Sequence, residues 1–405
     1  MVILHRLNKL HQSLRQLLRL QSVIMAVILM LLVGCSGISP TEIVQVVNAR
    51  NPRYAVTQLI RDRGVYYAKH PKAIKKDVAG FNRLIARLSR NVHHVWGKHD
   101  NLMANRRTFV KYTNHYKTRA TINFKNGYVK VETVVTVRPK EELQEAIVAT
   151  LLTPDDPTKV DLFTDRAFIL GSGKPFLYKQ VLDQDGKPIE WSWRANRYAD
   201  YLIHHRLRIR HISYKKVWSV EFPLSRNSLK IREYRYASLI RKYARRYHIN
   251  ESLIYAVVDT ESSFNPYAVS NAHAYGLMQV VPSTAGADVF RRIMKRRGRP
   301  TPKQLLNPAF NLDVGTAYLH ILKSVYLADI RNPLSRRYSI ISAYNGGTGN
   351  VLKTFSRNRR WAIRRINELS PTQVYHQLTT RHPSRQSRQY LYKVNKAEQQ
   401  FIRQD

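Results

Sequence analysis

The sequence predicts an α+β protein, an α+β N-terminal domain followed by a mostly α-helical C-terminal domain. Three observations carry this. A β-branched, partly alternating run from Tyr128 to Val137 is bounded by Asn126-Gly127 and Pro139. Apolar residues recur at helical spacing later in the chain, at Tyr236, Leu239, Ile240, Tyr243, Ala244 and Tyr247, and again at Val314, Ala317, Tyr318, Ile321, Leu322 and Val325. After the first of these helices no comparable strand run appears, and the 405 residues exceed what one core normally serves.

At the start, Arg6, Lys9, Arg15 and Arg19 precede an apolar run from Val23 to Val33. That is the charged-then-apolar order of a secretory signal. The run is shorter than the roughly 20 residues that span a bilayer. It ends at Leu32-Val33-Gly34-Cys35, and Cys35 is the only cysteine of the chain. This end resembles a bacterial lipobox, which implies cleavage before Cys35 and acylation of its thiol. Ser36, in place of Asp, implies delivery to the outer membrane with the rest of the chain facing the periplasm. The expected organisation is a signal peptide at 1–34, a lipidated Cys and linker at 35–40, an accessory domain at 41–230 and a helical domain at 231–405. A lone Cys at such a site argues for lipid as a partner and against disulfides, metal clusters or a thiol nucleophile.

The formal net charge is +41, from 68 Lys and Arg against 27 Asp and Glu. Such an excess suits a polyanionic partner. The basic residues are dispersed, no nucleic-acid fold signature accompanies them, and export removes the chain from DNA and RNA. The remaining anions are envelope carboxylates and lipid phosphates.

Within 41–230, Phe81 to Trp96 reads as an amphipathic helix, Glu141 to Leu152 as a second, and Val217 to Phe222 as a further strand. Asp183 to Pro188 reads as a turn between two short extended segments, Leu177 to Leu182 and Ile189 to Trp193. Trp191, Trp193, Tyr198 and Tyr201 suit either sugar stacking or core packing. His93-His94 and His204-His205 lack a third ligand at useful spacing, so no metal or other cofactor is expected. The domain boundary falls between Pro223 and Arg235. Beyond it, Tyr338 to Tyr344 forms a helix stopped by Gly346-Gly347, and a last helix after Pro383 presents Ser387, Tyr390, Leu391, Val394 and Phe401 on one face.

The chemistry concentrates between Asn250 and Gly286. Asn250 is a good N-cap, and Leu253, Ile254, Val257 and Val258 repeat until Asn265-Pro266 ends the helix. Glu261 follows Val257 by four residues and Val258 by three, so its carboxyl projects from the apolar face. Desolvation there raises its pKa and keeps a proton on it, as a general acid requires. Asp259 points roughly 200° away around the helix. The competing account pairs Glu261 with one of the many arginines.

Four motifs then stand in order: Glu261-Ser262 with Phe264-Asn265-Pro266, Gly276-Leu277-Met278-Gln279, Ala343-Tyr344-Asn345, and Arg388-Gln389-Tyr390-Leu391. Together they resemble the catalytic domain of soluble-type lytic murein transglycosylases, relatives of goose-type lysozyme. The stretch from Gly186 to Tyr201 resembles the accessory domain of C-type membrane-bound members. The resemblance implies a lysozyme-like fold for 231–405 and peptidoglycan glycan strands as substrate. It implies Glu261 as the catalytic residue, acid and then base, closing the muramic 6-hydroxyl on C1 without water. Ser262, Met278, Gln279, Tyr344, Asn345 and Tyr390 are its implied substrate-binding residues. Ser262 alternatively holds the helix end, Tyr344 and Asn345 alternatively cap a helix, and Tyr390 is alternatively a packed core residue. His273-Ala274-Tyr275 stands where the family has small residues. Asp288, Asp313 and Asp329 are not brought opposite Glu261 by their spacing. A hydrolytic lysozyme and a non-catalytic murein-binding lipoprotein are the alternative functions.

Overall fold

Alternating β-branched residues build one antiparallel sheet in the first half of the chain, and 3.6-residue repeats build a helical body in the second. The computed structural model describes residues 88–160, 162, 164–167, 173–270 and 274–402. The signal segment, Cys35, Ser36, the first part of the 81–96 helix and His273 lie outside them.

Five strands, β1 (Thr108–Thr113), β2 (Thr118–Asn123), β3 (Tyr128–Thr133), β4 (Arg208–Ile212) and β5 (Lys215–Pro223), pair in the order β1-β2-β3-β5-β4. Successive residues face opposite sides. Val131 lies opposite Ala120 and Val220, while its neighbour Glu132 lies opposite Arg119 and Ser219. The Val131 side, with Phe109, Ile122, Val129 and Phe222, packs in one core with helices α1 (Pro139–Leu151) and α2 (Ser192–Arg206). The other side is unusual in burying charge. Arg119 Nε donates to Glu132 Oε2 at 2.7 Å, Arg210 bridges Glu132 and Asp100, and the Arg119 guanidinium lies 3.9 Å over the Trp96 ring. Trp96 ends the helical residues 88–96 that cover this face.

That polar face explains two strands the sequence hid: β2 and β4 carry Arg119, Thr121, Arg208 and Arg210 on it, where a half-buried strand normally shows apolar residues. The strand expected to run to Val137 stops at Thr133, because Arg138 turns left-handed at φ 49° and Pro139 opens α1. The segments expected to be extended around Asp183 are turns with one isolated bridge, Leu182 to Pro188. Asp183 Oδ1 accepts from the amides of Asp185 and Lys187 at 3.0 and 2.8 Å, and α2 begins at Ser192.

Helices fill the rest: α3 (Ser228–Arg235), α4 (Ala237–Tyr247), α5 (Glu251–Ser262), α6 (Ala287–Arg292), α7 (Pro302–Leu306), α8 (Pro308–Ile321), α9 (Pro333–Gly346), α10 (Thr348–Phe355), α11 (Arg359–Glu368), α12 (Pro371–Thr380) and α13 (Arg385–Ile402). Four of them start at a Thr, Asn or Ser cap followed by Pro, where the missing N–H costs nothing and φ is already helical. The central helix is α5, packed on α4 and α13 and buried along Leu253, Ile254, Ala256, Val257, Val258, Glu261 and Ser262.

The two bodies are riveted just after α5. Tyr267, 1% exposed, enters the sheet-domain core edge-on to Phe109 and Phe176 at 5.2 and 5.1 Å, and its hydroxyl donates to Pro154 O. Arg232 of α3, equally buried, donates to Gln180 Oε1 at 2.8 Å and to Ser263 O at 3.1 Å. Sheet and helices are therefore expected to unfold as one cooperative unit in urea. Tyr267→Ala is expected to cost about 3–5 kcal/mol, as for a buried aromatic, and Tyr267→Phe about 1 kcal/mol. A sheet domain that melts unchanged in Tyr267→Ala contradicts this.

Candidate active site

At the end of α5, Ser263 and Phe264 are both left-handed, with φ 53° and 58°. Two such non-glycine residues in sequence stop the helix abruptly and store strain, which the surrounding packing holds in place. Phe264 is fully buried against Tyr255 and Phe401, and Asn265 Oδ1 accepts from Tyr267 N at 3.0 Å. Glu261 therefore sits in the last turn of α5 with its side chain 4% exposed.

The Gly276–Gln279 motif is a tight turn, closed by Gln279 N donating to Gly276 O at 3.1 Å. Gly276, at φ 70°, has no room for a side chain: an added Cβ would meet Leu305 O at 2.5 Å. Asn311 of α8 holds the turn. Its Nδ2 donates to Tyr275 O at 2.6 Å and Leu305 O at 2.7 Å, and its Oδ1 accepts from Met278 N at 2.8 Å. Ser262 ties the turn to α5, its hydroxyl shared between Leu277 O at 2.8 Å and Val258 O at 3.1 Å.

The implied site residues divide into those that line the carboxyl and those that hold the lining. Met278 is fully buried beneath the turn, against Gly315 and Thr316, and Ser262 is fully buried with its hydroxyl committed to backbone. Gln279, left-handed at φ 48°, spends its amide nitrogen on Ala268 O and Gly276 O, while its buried Oε1 has no hydrogen-bond partner among the described residues. Tyr344 donates to Met278 O at 2.8 Å and packs on Tyr318. Asn345 Oδ1 accepts from Ser387 Oγ at 2.9 Å, which joins the end of α9 to the start of α13 and so places Tyr390. Trp191 and Trp193 are exposed away from this cluster, whereas Tyr198 packs in the sheet-domain core against Tyr201 and Phe222.

Burial raises the pKa of Glu261, opposed by the Arg106 charge, the Tyr390 hydroxyl and Arg107. The Tyr390 hydroxyl lies close without a formed hydrogen bond of ordinary geometry. Burial also raises the hydroxyl pKa of Tyr344 and of Tyr390, with Glu261 the next cause in each. Among the described residues no carboxylate acts on Glu261. Asp288 is held by Arg291 and Tyr326, and Asp313 by Tyr247 and Arg246. Asp259, on the far side of α5, is raised by burial against Arg107 and Arg232.

Arg106 escaped the sequence reading. Its Nη1 stands 3.2 Å from Glu261 Oε2, reaching in from the turn before β1. So the carboxyl is both buried and paired with an arginine, two accounts that from sequence had seemed to compete. Nothing local in Asn105-Arg106-Arg107 signals it. Asn311 was hidden for another reason, being one amide in an otherwise ordinary helical repeat.

A carboxyl with a raised pKa binds its proton more tightly folded than unfolded. Its contribution to stability is complete below the unfolded pKa and is lost as pH rises through the folded one. Glu261→Gln is thus expected to match the wild-type Tm at about pH 3, below the ordinary Glu range, and to exceed it increasingly towards neutrality. A difference that does not vary with pH contradicts the burial.

Comparison with known proteins places this geometry. Residues 74–235 match the family model of the membrane-bound lytic murein transglycosylase C N-terminal domain, and residues 238–367 that of the transglycosylase SLT domain. The membrane-bound lytic murein transglycosylase C of Klebsiella pneumoniae is 48% identical over 336 residues, 83% of this chain and 93% of that one. Its counterpart in Yersinia enterocolitica is 46% identical, over 82% of this chain and 92% of its own. Among solved structures, the 70 kDa soluble lytic transglycosylase of Escherichia coli overlaps 40% of this chain and 23% of its own at 27% identity, with a TM-score of 0.32.

Proposed function

The chain belongs to the family of membrane-bound lytic murein transglycosylase C, and on that premise we propose that Glu261 alone cleaves the β-1,4 bond between N-acetylmuramic acid and N-acetylglucosamine in peptidoglycan. The protein is a lytic transglycosylase of that polymer. What remains to be assigned is how the atoms move.

The observation that carries the assignment is a carboxyl 4% exposed on which no second carboxylate acts among the described residues. Ordinary glycosidases need two carboxyl groups, one to protonate the leaving oxygen and one to act as nucleophile or base. With one, the attacking oxygen has to come from the sugar. Glu261 gives its proton to the bridging oxygen as the C1–O bond breaks, and the bond pair leaves with that oxygen. The carboxylate then takes the proton of the muramic 6-hydroxyl while O6 bonds to C1, which yields a 1,6-anhydro end and restores the acid. Water is neither consumed nor released.

The surrounding groups fit supporting roles. Gln279 Oε1, buried and unsatisfied, is an acceptor for a sugar amide or hydroxyl. Tyr390 Oη, likewise unsatisfied, faces the carboxyl and is positioned to bond it or the sugar. Tyr344, Ser262, Met278 and Asn345 act by holding the turn and helix ends that carry these atoms.

For attachment, the signal segment at 1–34 followed by an acylated Cys35 supports an outer-membrane lipoprotein facing the periplasm. No helix among the described residues is long and apolar enough to cross a membrane. Palmitate should label the wild type and not Cys35→Ser.

Digesting purified murein and weighing the soluble products tests the chemistry. Products lighter by one water than those of a hydrolase are expected, and products carrying that water assign the chain to hydrolysis. Glu261→Gln should lose about 10²- to 10⁴-fold in rate, the usual contribution of acid–base catalysis, while still binding sacculi. Unchanged activity would reject Glu261.

A further inference from the structure

We propose that Arg106, carried by the sheet domain, is a positioning residue of the active site that supplies the positive charge Glu261 needs while it is a carboxylate. This rests on the reading of Glu261 as acid and then base.

Arg106 is not a long surface side chain that happens to reach a carboxyl. It occupies a tight turn in which Asn105 N donates to Thr108 O at 2.8 Å and Arg107 N to Asn105 Oδ1 at 2.9 Å. The turn is fastened to the segment around the end of α5 at two further points. Arg106 O accepts from the fully buried Asn265 side chain at 3.2 Å, and Arg107 Nη2 approaches Thr260 O at 3.4 Å. Backbone and neighbours thus aim Nη1 at Glu261 Oε2, 3.2 Å away.

The exposure of the two partners differs in a useful way. The Arg106 side chain is 31% exposed and that of Glu261 4%. An exposed cation costs little to keep charged, yet its field reaches the buried carboxyl through protein, where screening is weak. Between the two proton transfers Glu261 is ionised in a site closed to water, and a buried unpaired carboxylate is costly. Arg106 offsets that cost. Seated at the rim, it opposes the burial that raises the pKa of the carboxyl without cancelling it. The groups facing Glu261 are Arg106 and Arg107 from the sheet domain, Tyr390 from α13 and Tyr344 from α9. Both cations therefore come from outside the helical domain, which makes the accessory domain part of the catalytic machinery.

Arg106→Gln and Arg106→Lys in the full chain test this through the pH dependence of murein digestion at limiting substrate. Loss of the cation lets Glu261 keep its proton to higher pH. The alkaline limb of kcat/KM should move up by about one pH unit in Arg106→Gln, the low end for an opposite charge within contact range, and return in Arg106→Lys. Equal Tm values for the three proteins are expected, since the side chain is partly exposed. An alkaline limb that stays put in Arg106→Gln, whatever the loss of rate, overturns the proposal. Activity retained in Glu261→Gln would instead overturn the acid–base reading beneath it.

Discussion

One carboxyl kept out of water at a domain seam is the constraint on which the rest depends. The buried face of α5, through Leu253, Ile254, Val257 and Val258, gains by leaving water, and Glu261 is the residue that makes that burial expensive. The fold tolerates it because the neighbouring parts are over-determined. Asn311 satisfies Tyr275 O and Met278 N of the Gln279 turn and Leu305 O of α7, Ser262 joins that turn to the helix, and Ser387 bonds Asn345 across α9 and α13. Each link spends its polar capacity on structure. What remains unspent, on Tyr390 Oη beside the carboxyl and on Gln279 Oε1 in the adjoining turn that Ser262 ties to α5, is what a substrate can use.

The same constraint explains why the sheet domain is attached where it is. Tyr267 and Arg232 anchor it within a few residues of the strained Ser263-Phe264 pair, and Arg106 closes the remaining side of the carboxyl. Strain of this kind, of order 1–3 kcal/mol per residue, persists only where packing prevents relaxation. Tyr255 and Phe401 of the helical domain pack Phe264, and the sheet domain braces the segment through Asn265 and Tyr267. Its buried charge network, centred on Glu132 between Arg119 and Arg210, stiffens the sheet from which β1 and the Arg106 turn project.

The helical half could be read from its sequence because its repeats are apolar and capped by Asn-Pro, Thr-Pro and Ser-Pro pairs. Helix α5, its stop and the burial of Glu261 follow from the spacing of Val257, Val258 and Asn265-Pro266. The sheet was only half readable. Strands β3 and β5 announced themselves through β-branched runs, but Arg119 in β2 and Arg210 in β4 look solvent-facing until Glu132 is seen opposite them. Arg106 was out of reach for a simpler reason: its partner lies in another domain, and among 68 Lys and Arg no local feature marks it. The amides and hydroxyls of the motifs were visible as residues, but their division into lining and support depends on which carbonyls lie nearby.

A second carboxylate would change the chemistry entirely, since it could activate water or attack C1 itself. The account here needs neither, because the oxygen that closes on C1 already belongs to the sugar. Digestion of murein in water enriched in heavy oxygen tests this most directly. The new chain ends should carry no label, as all their oxygens come from the glycan; label at C1 of the released muramic residues would contradict a Glu261 that works alone.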